Sequence, residues 1–175
     1  GPFLFDDPTL SDELRFPNRP LTWASFLLNR AISGPNTWSY HLFNLLVHLG
    51  AGLLLYGILR RGLEQVADRI PARARTGLAF TSALIWLVHP LQTESVAYLS
   101  QRAEAMAGLF YLGALYGLLR SAGAEHALRW QAVSLLSFAL GMATKETVAT
   151  APVLLLLYDR AFLAGGDPRR SRDRV

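Results

Sequence analysis

The sequence predicts an all-α protein built as a polytopic transmembrane helical bundle, with about five spanning helices and one amphipathic interfacial helix. Hydrophobic residues make up 51% of the chain and charged residues only 17%. This hydrophobic share is too high, and the charged share too low, for a chain this short to cover its surface with polar residues in water. Several long apolar runs also alternate with short segments rich in Arg. The expected solvent for most of the chain is therefore a lipid bilayer.

Residues 1–37 are predicted to form an extracytoplasmic loop that carries the interfacial helix. The first 20 residues contain four Pro and four acidic residues with no sustained period, which is typical of a loop. Over residues 21–33, apolar side chains recur at helical spacing. This helix is too short to span a bilayer, so we expect it to lie in the interface.

Residues 38–163 are predicted to form the transmembrane bundle. The run 38–59 has no formal charge and is close to the roughly 20 residues that a spanning helix needs. The next run, 77–88, should end at His89-Pro90, because proline disfavours helical geometry at the residue before it. Three further and somewhat short runs are 103–119, 130–143 and 147–163. Residues 164–175 read as a basic cytoplasmic tail.

The distribution of basic residues predicts the orientation, since Lys and Arg in short loops are retained on the cytoplasmic side. Alternate connections on one side hold twelve of these residues, and the opposite side holds five. We therefore expect an integral membrane protein with its N-terminal segment outside. Polar motifs spread over 140 positions would then meet at one extracytoplasmic level.

Composition also excludes several classes of function. The absence of Cys excludes disulfides, thiolate metal sites and thiol nucleophiles. The net charge of +4 suits an anionic membrane face, and no basic patch interleaved with aromatic residues suggests a nucleic-acid partner. No phosphate-binding loop, dinucleotide fingerprint, zinc-protease motif or serine elbow is present. The sequence begins without an initiator Met, a basic n-region or a leading apolar run, so we expect no signal peptide and a fragment that lacks its first helix.

Asp6-Asp7 is the first candidate for chemistry. Before Pro8, the pair is compatible with a solvated turn in which Asp accepts backbone hydrogen bonds. The functional alternative is a general base, or a ligand for a divalent cation near the membrane surface. The cofactor is otherwise unknown from the sequence.

The polar residues between Glu94 and Glu104 have a structural and a functional interpretation. Glu94, Tyr98 and Gln101 are expected on one face of a helix, with Arg102 and Glu104 at the start of the next. An interfacial ion-pair network would explain these charges without catalysis, and a substrate site would explain them equally well.

Lys145-Glu146 is expected in a turn, where Glu suits the positive N-terminal end of the following helix. In the functional interpretation, Lys145 holds a phosphate.

His41, Asn44 and His48 recur at helical spacing in the first span. They could form a metal or proton site. Hydrogen-bonded packing between helices is the favoured interpretation.

The order of several segments resembles a known family. The segments are FDD, RPLTWASFLLNRAISG, YHLFNLLVHLGAGLLLY, HPLQTESVAYLSQRAE and ATKETVATAPVLLLLYDRAF. Together they resemble the membrane half of the transmembrane and tetratricopeptide-repeat O-mannosyltransferases and their bacterial relatives, over nearly all of residues 5–163. The family belongs to the C-type glycosyltransferases, which use a polyprenyl-phosphate-linked sugar and place an acidic motif in the first external loop.

The resemblance implies a membrane glycosyltransferase that passes a sugar, mannose in this family, to a protein acceptor on the extracytoplasmic side. It assigns catalysis to Asp6 and Asp7. Substrate-binding residues would be Arg19, His89, Thr93, Glu94, Arg102, Glu104, Lys145 and Glu146. Membrane lipid is the other expected partner, and the resemblance to the family's bacterial relatives implies a location in the bacterial inner membrane. Two departures are a short loop between Asp7 and Arg19 and the absence here of the family's first helix, later helices and repeats, so the fragment is not expected to suffice for activity.

The chemistry of these residues fits that implication. Inverting transfer from a lipid phosphate needs a carboxylate to deprotonate the acceptor and cations to stabilise the departing phosphate. Asp6 or Asp7 could supply the carboxylate, and Arg102 and Lys145 the cations. The alternatives are a non-catalytic scaffold that anchors repeats for protein partners and a fragment of a transporter.

Overall fold

The computed structural model describes residues 19–64, 70–122 and 125–163. Across these ranges the chain is helical, with short turns and no strand. The predicted all-α class is confirmed. Asp6 and Asp7, the predicted loop before residue 19 and the predicted tail 164–175 lie outside the described residues.

The first helix, α1, spans Pro20–Ser33 and agrees in extent with the helix predicted over residues 21–33. It begins with Pro at a position that needs no backbone donor. It ends at Gly34, whose φ of +57° few other residues adopt and whose N–H donates to the Arg30 carbonyl.

The amphipathic character of α1 is reversed relative to a helix on a water-soluble protein. Its polar Thr22, Ser25 and Asn29 are buried against the rest of the protein. Its large apolar side chains Leu28 and Ile32 are more than half exposed. This exposed apolar face is compatible with the predicted position of α1 in a membrane interface, which stays a prediction.

Helix α2 spans Trp38–Glu64. Among the described residues it is the one helix long and apolar enough to cross a membrane, judged by length and composition. Helices α3 (Ala72–Val88), α5 (Arg102–Ser121) and α6 (Ala127–Met142) agree closely with three predicted runs.

The connection between α3 and α5 is broken into short pieces. Helix α3 ends at Val88, and His89 is extended before Pro90, as predicted. A 3-10 turn (Pro90–Gln92), the short helix α4 (Thr93–Ala97) and a second 3-10 turn (Leu99–Gln101) follow, with Tyr98 extended between the last two. Glu94, Tyr98 and Gln101 therefore do not share one helical face, and that expectation is wrong.

Helix α5 lies between α2 and α6. A Cβ atom on Gly117 would lie 2.8 Å from the Ser134 backbone nitrogen and 2.9 Å from the Trp130 carbonyl oxygen, so α5 and α6 approach at nearly backbone contact. The Ser134 hydroxyl donates to the Ala114 carbonyl at 2.7 Å. Small residues and such hydrogen bonds are typical of helix contacts in membranes.

The last predicted span, 147–163, is interrupted. It comprises a 3-10 segment (Glu146–Thr150), the eight-residue helix α7 (Ala151–Tyr158) and a π-helical turn (Asp159–Leu163). Pro152 lies in the first turn of α7, where a missing backbone donor is tolerated. The apolar pattern predicted a helical segment here. It did not predict that the segment changes from 3-10 to α and then to π helix.

Candidate functional site

The start of α1 is fastened to the turn that precedes α7. The Leu21 backbone N–H donates to the Ala143 carbonyl at 3.1 Å. The Thr22 hydroxyl donates to the Thr144 carbonyl at 3.4 Å, and Thr144 itself is completely buried. These contacts join segments 122 positions apart and bring Arg19 beside Lys145-Glu146.

Four of the predicted site residues form two ion pairs at this junction. Lys145 Nζ pairs with a carboxylate oxygen of Glu104, and Arg19 Nη2 lies 3.6 Å from Glu146 Oε1. The Lys145 side chain is 18% exposed and that of Glu146 is 73% exposed. Exposure therefore increases across the cluster, from the partly buried Lys145 to the solvent-exposed Glu146.

The electrostatics of the cluster favour the ionised form of the Glu146 carboxylate. The pKa of Glu146 is lowered below its usual value of 4.5, chiefly by a backbone hydrogen bond and further by the charges of Arg19 and Lys145. Glu146 lies in the first turn of its 3-10 segment, as its predicted position before a helix suggested.

Arg102 is the interior support of the same region. Its side chain is completely buried. Nε donates to Asn44 Oδ1 at 2.8 Å, and Nη1 donates to Asn29 Oδ1 at 2.7 Å and to Ser25 Oγ at 3.3 Å. Nη2 donates to the Tyr40 carbonyl at 3.0 Å. One guanidinium thus joins α1, α2 and α5.

Aromatic rings enclose the Arg102 guanidinium. Its Cζ lies 4.1 Å from the centroid of Phe26, 4.7 Å from that of Phe43 and 5.6 Å from that of Tyr40. Cation–π contacts of this kind are strongest where water is excluded. The hydrogen bonds of Arg102 go to protein acceptors, so its side chain ties α1 and α2 to α5.

The remaining predicted residues lie on the broken connection. His89, Thr93 and Glu94 are exposed. His89 Nδ1 accepts from the Leu91 N–H, and Thr93 donates to the Pro90 carbonyl. In the described part of the chain, no ion pair joins Glu94 to Arg102 or to the cluster around Lys145.

Asn44 links that connection to the buried arginine. Asn44 Nδ2 donates to the Val96 carbonyl at 3.4 Å while Oδ1 accepts from Arg102. His48 is buried, with Nε2 2.9 Å from the Leu87 carbonyl oxygen and its ring stacked on Trp86. Packing is thus confirmed for Asn44 and His48, and His41 is exposed.

No group of three potential metal ligands occurs within the described ranges. The suggested divalent cation near Asp6 and Asp7 falls outside them.

Sequence reasoning missed the residues that hold Arg102. Ser25 and Asn29 lie four positions apart on the buried face of α1, and Asn44 is an isolated amide in an apolar span. A polar stripe on an otherwise apolar helix and a lone amide in a span are the signals that could have identified them.

Comparison with known proteins identifies a family. Human protein O-mannosyl-transferase TMTC3 is 29% identical over 150 residues, which are 85% of this chain and 15% of that protein. Human protein O-mannosyl-transferase TMTC1 is 32% identical over 162 residues, 87% of this chain and 17% of the relative. Mouse protein O-mannosyl-transferase TMTC2 is 39% identical over 94 residues, 54% of this chain and 10% of the relative.

No protein-family model matches the chain, and no solved structure matches it significantly. By sequence, the chain belongs to the TMTC family of protein O-mannosyl-transferases, as its motifs predicted. It spans 10 to 17% of the length of these three relatives.

Proposed function

We propose that this chain is part of a membrane glycosyltransferase that transfers mannose from a polyprenyl-phosphate donor to a hydroxyl of a protein acceptor on the extracytoplasmic side. The observation that carries the proposal is the convergence of Arg19, Glu104, Lys145 and Glu146 from three distant segments. The names of the relatives support the same class of reaction.

The proposed reaction divides its chemistry between the acidic pair and the cationic cluster. Asp6 or Asp7 takes the proton from the hydroxyl of the acceptor protein. At the same time, the oxygen of that hydroxyl forms a bond to the sugar C1. The bond between C1 and the phosphate oxygen breaks, and the phosphate leaves with the electron pair. Lys145 and Arg19 stabilise the charge that develops on the phosphate.

The other residues have supporting roles in the proposal. Glu104 and Glu146 hold Lys145 and Arg19, and Arg102 fixes the helices on which the cluster stands. His89, Thr93 and Glu94, exposed on the broken connection, are proposed to meet the sugar or the acceptor.

The proposed membrane arrangement has five spans with the N-terminal segment outside. Exposed apolar side chains support it, because Leu53, Ile85 and Leu135 are each more than half exposed on α2, α3 and α6. Shorter helices such as α3 would reach across with the help of adjoining segments or local thinning of the bilayer. The twelve-to-five distribution of basic residues supports the orientation. The bacterial inner membrane is proposed from the resemblance to bacterial relatives of the family.

The test is sugar transfer from a polyprenyl-phosphate donor by the full-length protein. Replacing Asp6, Asp7 or both by Asn keeps the shape and removes the proton acceptor, so turnover should fall by roughly 10²–10⁴-fold. Asp12→Asn, in the same N-terminal segment, is the matched control and should retain turnover.

Retention of wild-type turnover by both single variants and the double variant would refute the catalytic assignment. Asn replaces Asp in an Asx-type turn, so a purely structural pair predicts that result. A wild-type protein that anchors protein partners but transfers no sugar would favour the scaffold over the enzyme.

A further inference from the structure

A second charged region lies at the opposite end of the bundle from Arg102. Arg102 lies in the first turn of α5 and Arg120 in its last turn, about 27 Å apart along the axis at about 1.5 Å per residue. There the last turns of α2 and α5 enclose a cavity of about 250 Å³. Its lining includes Gly57, Arg60, Arg61, Glu64, Tyr116 and Arg120.

The lining has an excess of positive charge. Three guanidinium groups face one carboxylate, and that carboxylate, Glu64, lies 3.6 Å from Arg60 Nε. Within the described ranges, no carboxylate forms a salt bridge with Arg61 or Arg120. The cavity therefore presents two cations whose charge is not balanced by a described acidic side chain.

Aromatic rings hold both of these cations. Arg61 Cζ lies 6.0 Å from the centroid of Tyr116, and Arg120 Cζ lies 4.3 Å from the centroid of Trp130. The rings of Tyr116 and Trp130 meet edge to face at 5.9 Å, so one aromatic pair supports both arginines. A guanidinium stacked on a ring keeps the N–H donors around its edge available for a planar, bidentate partner.

The backbone of α2 is shaped to allow this arrangement. A Cβ atom on Gly57 would lie 2.7 Å from Cε2 of Tyr116. Glycine at this position lets the tyrosine ring lie against α2 under Arg61. The cavity wall is thus a specific contact between two helices.

We propose that this cavity binds a phosphate group, supplied either by an anionic lipid headgroup or by a soluble phosphate. Arg61 and Arg120 are its main ligands. The volume exceeds the roughly 10–15 Å³ that a single water needs, so a multi-atom anion fits. The basic-residue distribution places this end on the cytoplasmic side, where anionic lipids concentrate. The helix dipole also favours Arg at these helix ends, but it does not require an open cavity between them.

The test titrates phosphatidic acid into the detergent-solubilised full-length protein and measures the apparent Kd by native mass spectrometry. Arg61→Gln with Arg120→Gln should weaken binding about 10-fold or more, as expected for the loss of charge-assisted hydrogen bonds. The matched control is Arg73→Gln with Arg129→Gln, which removes the same charge from exposed positions outside the cavity and should bind as wild type. Arg61→Lys with Arg120→Lys keeps both positive charges and should bind with intermediate affinity, because an ammonium lacks the bidentate donors of a guanidinium.

Competition identifies the source of the phosphate. If inorganic phosphate displaces phosphatidic acid from the wild type at millimolar concentration, the ligand is a soluble phosphate. If phosphatidic acid stays bound and phosphatidylcholine does not replace it, the ligand is an anionic lipid. Unchanged affinity in the double Gln variant, or equal loss in the control pair, would overturn the proposal.

Discussion

Lys145 and Glu104 form an ion pair across 41 positions of sequence, joining the turn before α7 to the first turn of α5. The lysine is the more enclosed partner. It also lies on the predicted extracytoplasmic side, where Lys and Arg are sparse.

Lys145→Ala should lower the donor kcat/KM of the full-length protein by about 10–100-fold, because a phosphate loses a charge-assisted partner. Lys145→Arg should lose less, since it keeps the positive charge. Glu104→Gln is the control that breaks the ion pair and leaves the cation. Equal losses in Lys145→Ala and Glu104→Gln would mean that only the ion pair matters.

The orientation predicts that cysteines introduced singly at Ser11 and Ala124 are labelled from opposite sides of the membrane. The reason is the unequal distribution of basic residues between the two sides. This chain has no Cys of its own, so it contributes no background labelling. Labelling of both positions by an impermeant reagent from the same side would contradict the arrangement.

Arg102→Ala should lower the free energy of unfolding by about 3 kcal/mol or more. It leaves Asn29, Asn44 and the Tyr40 carbonyl without their donor and removes a buried side chain. Arg102→Lys should lose less stability because it retains the charge and some donors. The measurement is denaturant unfolding in detergent, with exposed Arg73→Ala expected to stay close to wild type. A stable, inactive Arg102→Ala would instead indicate direct contact with substrate.

Glu146 predicts a pH-dependent contribution to stability. Its pKa is lower in the folded protein, so its stabilising effect is present above its ordinary value of 4.5 and is lost as the pH falls through the folded value. The difference in thermal midpoint between wild type and Glu146→Gln should therefore shrink on acidification below about pH 4.5. The midpoints are measured over a pH series, and a constant difference at every pH would contradict the assignment.

Much of the helical layout could be predicted because apolar runs and proline act locally. The pause at His89-Pro90 was predicted correctly. The end of α2 was predicted at Leu59, yet the helix continues to Glu64. Hydropathy marks where the apolar run stops, whereas Arg60 and Arg61 are good helix formers and continue the helix.

Contacts between distant segments limited the prediction of the site. The sequence placed Arg19, Glu104 and Lys145-Glu146 at one membrane level together with the other polar motifs. The two ion pairs bring these four residues together. It could not show that Arg102 points inward, because that depends on amides 58 and 73 positions earlier. The broken connection after Pro90 likewise involves a non-local contact, from Asn44 to the Val96 carbonyl.

The order of Arg102 and its acceptors along the chain has a consequence for biosynthesis. Asn29, Tyr40 and Asn44 all precede Arg102, so the ribosome makes every acceptor before the donor. The 58 residues from Asn44 to Arg102 take roughly 3–12 s to synthesise at about 5–20 residues per second. During that interval α1 and α2 hold inward-facing amides without their cation. In this interval the nascent chain is expected to depend most on chaperones or the insertion machinery. Synthesis of Arg102 then supplies the hydrogen-bond donor for these amides.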